Sequence, residues 1–174
     1  MRPAAAQMSR PDVTVYRFST PVMIFVPVLA IFLQVFLPIR FNFVRVFDLP
    51  LLVTIFFAIS RREQVAGLMT GAIIGLVQDS LTQLPIGIYG LANTIVGYGA
   101  SSLSVKIDVD NPGSRFLITF GFYLLHQCIY FTVGHGMARL DLLWNWHHEL
   151  LSALANSIMA VVLFAILDRF KQRV

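Results

Sequence analysis

The chain has 174 residues, of which 57% are hydrophobic and 13% charged, and its mean hydropathy is +0.74. A soluble domain of this size could not remove so much apolar surface from water, so the composition excludes an ordinary soluble protein. The net charge is +4, but the basic residues are scattered, which argues against nucleic-acid binding. The single Cys128 offers neither an intrachain disulfide nor a metal cluster. The sequence therefore predicts an integral membrane protein.

Residues 1–19 precede the first apolar run. They are polar, they contain Pro3 and Pro11, and no small-residue cleavage site follows the apolar run. A secretory signal peptide has the opposite layout, so we expect residues 1–19 to form a short cytoplasmic tail.

Six apolar stretches are candidate membrane spans, judged against the roughly 20 residues with which a helix crosses a bilayer. They are residues 20–38, 46–60, 65–80, 87–105, 115–135 and 150–168. Together they form one all-α transmembrane domain over 20–168, which is followed by a cytoplasmic tail at 169–174. The second and third are short, so we expect them to tilt or to lie partly buried in protein. Merging these two into one re-entrant hairpin would still leave an even number of crossings.

The basic residues predict the orientation of these spans. With six spans, ten of the thirteen basic residues fall on the side of both termini, and Arg40, Arg45 and Arg139 fall on the other side. Cytoplasmic segments carry an excess of Lys and Arg, so we expect both termini to be cytoplasmic.

The second span has recognisable ends. Asp48 followed by Pro50 is typical of a helix start, because the carboxylate caps the first turn and proline needs no amide partner there. Arg61 and Arg62 fall at the carboxyl end, where positive charge interacts favourably with the helix dipole.

Three glycines, Gly67, Gly71 and Gly75, lie four residues apart on the third span. Each weakens a helix in water by about 1 kcal/mol relative to alanine. In a bilayer the same spacing lets another helix approach closely, because packing drives helix association there. We expect this glycine strip to meet a helix, and the pattern suits a helix of the same chain as well as a helix of a partner.

Asp79 follows the glycine strip, just before a turn that contains Pro85 and Gly87. A carboxylate on an apolar span is costly unless it is paired, capped or near the interface. We expect Asp79 either to pair with Arg40 or Arg45, or to accept hydrogen bonds from backbone amides of the turn. Pro85 and Gly87 would shape that turn.

Two tryptophans, Trp144 and Trp146, lie in the longest segment outside the spans, residues 136–149. Tryptophan prefers the membrane interface, so a short amphipathic helix along the lipid headgroups is expected. The segment suits either a membrane anchor or a docking ledge for an extracytoplasmic partner.

Catalytic and metal-binding patterns are weak. Cys128 lies two residues after His126, on a different helix face, so the two do not form a nucleophilic pair. His147, His148 and Glu149 are adjacent, which rarely gives metal geometry by itself. Hydrolase, nucleotide-binding and zinc-protease motifs are absent from the sequence. We expect no catalysis, no cofactor and no metal.

Polar residues inside the spans are expected to form hydrogen bonds between helices, each contributing about 0.6 kcal/mol. Besides Asp79 they are Gln34, Gln78, Asn93, Thr94, Ser101, Ser102, Gln127, Asn156 and Ser157.

The central features occur in a particular order: Asp-Leu-Pro-Leu-Leu at 48–52, the arginine pair, the glycine strip, Asp79, Pro85-Ile-Gly87, and the run from Leu91 to Tyr98. This order resembles the MreD family of bacterial rod shape-determining membrane proteins. The resemblance covers roughly residues 20–168 and rests on the central fifty. The last third is similar in hydropathy alone.

The resemblance implies a non-enzymatic subunit of the elongation machinery in the bacterial inner membrane. Members of this family associate with MreC, a protein with one span, and through it with the MreB filament and with RodA and its class-B transpeptidase. Membrane lipid would be the other contact, and nucleic acid would not be bound.

Two other functions stay open. The span layout is also similar to the substrate-binding subunits of energy-coupling-factor transporters, and a shared fold does not determine function. A transport subunit that binds a small molecule is therefore the alternative. An intramembrane enzyme would need a titrating His126 or Asp79.

Overall fold

The computed structural model describes residues 16–82, 85–136, 144–170 and 172–173. Six helices form nearly all of this part: α1 (Thr20–Arg40), α2 (Leu49–Arg61), α3 (Gln64–Thr82), α4 (Ile88–Ser104), α5 (Pro112–Gly136) and α6 (Trp146–Leu167). A 3-10 helix, Asn42–Val46, precedes α2, and another, Asp168–Phe170, follows α6. The two-residue strands β1 (Tyr16–Arg17) and β2 (Gln172–Arg173) pair in antiparallel fashion. The predicted all-α fold is confirmed.

Four of the helices, α1, α3, α5 and α6 continued to Phe170, are long and apolar enough to cross a membrane. The expectation that the third span is short was wrong, since α3 has 19 residues. It continues to Thr82, and the hydroxyls of Ser80 and Thr82 find acceptors within it by donating to the carbonyls of Leu76 and Gln78. The shorter helices are α2, with 13 residues, and α4, with 17.

The short helix α2 is the centre of the molecule. Every residue from Pro50 to Ser60 is buried, and the helix contacts α1, α3, α4, α5 and α6. At 1.5 Å per residue it is about 20 Å long, less than the roughly 30 Å of a bilayer core. Its neighbours cover it on all sides, so it has no need to reach both membrane surfaces.

Both ends of α2 are closed by local hydrogen bonds. The Asp48 carboxylate accepts a hydrogen bond from the Leu51 amide at 3.2 Å. At the other end Arg62 adopts the left-handed conformation, with φ of 54°, and its amide donates to the Ala58 carbonyl. The helix therefore starts after Asp48 rather than at residue 46, because residues 42–46 form a 3-10 helix instead.

The strands β1 and β2 bring the segment before α1 and the segment after α6 to one end of the bundle. We call this the tail end. The opposite end, where α3 stops and α4 starts around residues 85–87, is the turn end. Helices α1, α3 and α5 run from the tail end to the turn end, and α2, α4 and α6 run in the opposite direction.

Candidate functional site

The glycine strip of α3 faces α4, and these two helices form the most extensive helix contact in the fold. A Cβ atom at Gly71 would overlap the backbone of Asn93, and one at Gly75 would overlap the carbonyl of Tyr89. Gly67 meets the α4 backbone in the same way. The sequence left open whether the glycine strip meets a helix of the same chain or of a partner. In the described structure it meets α4 of the same chain.

Asp79 lies at the turn end, is 1% exposed, and caps the start of α4. Its carboxylate accepts hydrogen bonds from the backbone amides of Gly87 at 2.8 Å, Tyr89 at 2.9 Å and Gly90 at 2.9 Å. These amides belong to the first turn of a helix, where intrahelical acceptors are missing. Within the described residues Asp79 forms no ion pair with an arginine.

The turn before α4 depends on Gly87, which has a φ of 112°. Because a Cβ there would meet nothing within 4 Å, the backbone conformation and not the available space requires glycine. Pro85 is exposed at the start of this turn. Residues 83 and 84 lie outside the described part of the chain.

A second group of polar side chains holds the start of α2. The Asn156 oxygen accepts a hydrogen bond from the Asp48 amide at 2.9 Å, and its amide nitrogen donates to the Val46 carbonyl at 2.7 Å. The Gln34 oxygen accepts a hydrogen bond from the Leu49 amide at 3.1 Å. These bonds connect α1 and α6 to the first turn of α2. The interhelical role predicted for Gln34 and Asn156 therefore takes the form of contacts to backbone.

A cavity of about 480 Å³ opens at the turn end between α1, α3, α4 and the 3-10 helix Asn42–Val46. Its polar lining comprises Gln34, Arg45, Gln78, Thr82 and Tyr89. Behind Tyr89 lies His126, which is fully buried and stacks on the Tyr89 ring with 5.8 Å between centroids. The cavity brings together polar residues from three helices and one connection.

At the tail end Arg115 joins the start of α5 to the end of α6. Its guanidinium donates to the Asp168 carboxylate at 2.6 Å and to the Val109 carbonyl at 2.7 Å, and it lies 3.6 Å from Asp110. From the sequence, Arg115 is predicted only as a topology charge at the start of the fifth span. The helix starts instead at Pro112, where the Asn111 side chain accepts a hydrogen bond from the Gly113 amide and proline needs no amide partner. An acidic Asp168 at the end of the last span was the signal that could have indicated the pair.

The remaining predicted residues lie near helix ends. Trp146 is the first residue of α6 and 63% exposed, and its ring meets that of Trp144 edge-on at 5.0 Å. Most of the amphipathic helix predicted around them falls on residues 137–143, outside the described part of the chain. Arg61 ends α2 and lies 4.0 Å from Glu63, and Arg62 caps the same helix.

The described residues contain no group of three or more His, Cys, Asp or Glu side chains that could hold a metal ion. Cys128 is exposed on α5, in the part of the helix that also carries the buried His126. What the site can do chemically is hydrogen bonding, through the amides of the two glutamines, the guanidinium of Arg45 and the hydroxyl of Tyr89.

Comparison with known proteins gives one match. The family model of rod shape-determining protein MreD matches residues 14–174, nearly the whole chain. No curated protein sequence and no solved structure matches the chain closely enough to add to this. The match agrees with the order of motifs over residues 48–98. It also extends to the last third of the chain, which contains none of those motifs. The chain belongs to the MreD family of rod shape-determining membrane proteins.

Proposed function

We propose that this protein is a non-enzymatic subunit of the rod complex, binding an MreC-like single-span protein in the bacterial inner membrane. Through that partner it would help couple the MreB cytoskeleton to RodA, its class-B transpeptidase and lateral wall synthesis. The observation that carries the proposal is the family match over residues 14–174.

The use of small and polar residues supports a role in assembly. The glycine strip, Asp79 and Asn156 are all engaged by other parts of the same chain. Large apolar side chains of α1 point outward instead, including Phe25, which is 64% exposed. A protein built this way acts chiefly through contacts within the membrane, where a single-span partner would meet it.

The distribution of charge supports cytoplasmic termini. Arginines at or near the tail end include Arg61, Arg62, Arg115 and Arg169, whereas the turn end carries Arg40 and Arg45. The excess of basic residues marks the cytoplasmic side. We infer that the tail end faces the cytoplasm and the cavity opens on the outer side.

The test is affinity purification of the tagged full chain from its native membrane in mild detergent, followed by mass spectrometry. We expect recovery of an MreC-like single-span protein, with or without the synthase. A matched control is another six-helix membrane protein carrying the same tag. Equal recovery of the single-span protein with that control would contradict the proposal.

The cavity at the turn end favours one alternative, a small-molecule-binding subunit of a transporter. Its volume of about 480 Å³ falls within the range of small-molecule sites. On that function the same purification would recover a paired ATPase module and a coupling subunit instead. A vitamin-sized ligand would then raise the thermal stability of the purified protein.

A further inference from the structure

Two glutamines direct hydrogen-bond donors to the cavity at the turn end. The oxygen of Gln34 accepts from the Leu49 backbone amide, which can only donate, so the Gln34 amino group is left for other partners. The oxygen of Gln78 accepts from the Asn93 side chain at 3.3 Å. Gln78 is 3% exposed, and its amino group has no hydrogen-bond partner among the described residues. The Gln78 amino group is therefore available as a hydrogen-bond donor at the cavity.

Arg45 adds a positive charge to the same lining. Its guanidinium forms no ion pair or hydrogen bond within the described part of the chain. Among the described residues the cavity lining contains no carboxylate. Two carboxylates lie nearby: Asp79 accepts hydrogen bonds from three backbone amides, and Asp48 accepts one from the Leu51 amide. Three donor groups, one of them charged, therefore surround a space suited to an anion, and guanidinium groups bind phosphate particularly well.

An apolar groove of about 330 Å³ continues from the cavity between α1 and α3, toward the tail end. The two spaces share Ile31, and the groove is walled by Met23, Val28, Ile74 and Val77 among others. From Gln34 to Met23 a helix rises about 16 Å, which is close to half of the roughly 30 Å hydrocarbon core. The α1 residues of the groove, from Thr20 to Ile31, lie in the tail-end half of α1, so an acyl chain that enters the groove from the cavity extends past the middle of the bilayer.

We propose that this cleft binds an anionic phospholipid. The phosphate lies among Arg45, Gln34 and Gln78, and one acyl chain lies in the groove between α1 and α3. A soluble anion would use only the polar part of the cleft, and an apolar partner helix would leave the positive charge of Arg45 without a counter-charge. Basic pockets between transmembrane helices bind lipid headgroups by the same chemistry. This inference stands apart from the proposed partner, because it rests on the cleft alone.

The first test measures thermal unfolding of the full chain in a neutral detergent, with added phosphatidylglycerol or with phosphatidylcholine of the same acyl chains. We expect phosphatidylglycerol to raise the midpoint more. Arg45→Ala should weaken its apparent affinity roughly tenfold, because a charge-assisted contact is lost. Arg45 is exposed and makes no contact that folding needs, so this variant remains folded. Arg40→Ala, at the same end but outside the cavity, should bind like the wild type.

The second test separates the headgroup from the chain. Val28→Trp fills the groove and should weaken binding of phosphatidylglycerol, whereas Leu29→Trp, on the neighbouring lipid-facing surface, should not. Glycerol phosphate serves as a headgroup without a chain. Stabilisation by glycerol phosphate equal to that by phosphatidylglycerol would overturn the lipid assignment in favour of a soluble anion. Equal effects of the two lipids, or of Arg40→Ala and Arg45→Ala, would overturn the site.

Discussion

Asp79 shows how one residue can be tolerated where its charge alone would be costly. The carboxylate is 1% exposed, yet both of its oxygens accept backbone hydrogen bonds from the first turn of α4. Those amides carry the positive end of the helix dipole, so Asp79 balances a charge that the helix itself presents. The residue therefore positions α4 against α3 and needs no arginine.

Asp79→Asn is expected to destabilise the protein by about 2 kcal/mol, as charge-assisted hydrogen bonds are lost. An asparagine can accept through one oxygen only, so its amino group would face one of the three amides, donor against donor. Unfolding by SDS in mixed micelles measures the change. Ser80→Ala is the control, because this exposed hydroxyl bonds only within its own helix. A variant as stable as the wild type would show that hydrogen bonding without charge suffices.

At the scale of elements, the contact between α3 and α4 depends on the absence of side chains. Glycine strips suit close packing in membranes, and here the backbone of α4 occupies the space that Cβ atoms would take at three positions. Since the strip is covered by the same chain, its loss would disturb the fold before it disturbed any partner. If a glycine-strip variant no longer binds a partner, its folding must therefore be measured as well, because misfolding alone would abolish binding.

Gly71→Ala and Gly121→Ala form a matched pair. Alanine at Gly71 meets the Asn93 backbone, which cannot rotate away, so we expect destabilisation of about 1–3 kcal/mol. Alanine at Gly121 on α5 meets nothing within 4 Å and should be neutral or stabilising by up to about 1 kcal/mol. The SDS unfolding midpoint compares the two. Equal midpoints would mean that α3 and α4 do not pack this closely.

At the scale of the molecule, the bundle is closed at the tail end by Arg115. This nearly buried guanidinium, at the start of α5, binds the Val109 carbonyl of the preceding connection and Asp168 at the end of α6, 53 residues away in the sequence. The β1–β2 pair lies at the same end. Together these contacts hold the segment before α1, the start of α5 and the segment after α6 at the tail end.

Arg115→Met keeps much of the apolar stem but removes the charge. We expect a loss of about 3 kcal/mol, because Asp168 keeps its charge without this partner and the Val109 carbonyl loses its donor. Lys106→Met, at an exposed position in the same connection, should change stability by less than about 0.5 kcal/mol. Thermal unfolding in detergent distinguishes them. Similar losses in both variants would point to charge in general rather than to this contact.

The sequence by itself determined the membrane class, the helical fold, the family and the residues on which the turn end is built. It could do so because hydropathy, caps and glycine spacing act locally and leave a direct trace in the sequence. Asp48 as a cap and the glycines at 67, 71 and 75 as a packing strip are of this kind. The length of α3 was missed, since its polar last turn looks like a loop when the bonds of Ser80 and Thr82 are not visible.

Only the tertiary structure decided which groups meet across the bundle. The partner of the glycine strip, the acceptor role of Asp79, the pairing of Arg115 with Asp168, and the placement of Gln34, Arg45 and Gln78 around one cavity all join residues from different helices. The pattern of one helix shows which face is small or polar, but it does not show which helix lies opposite. That choice depends on the packing of the helices around α2, whose short length predicts partial burial but not which helices cover it.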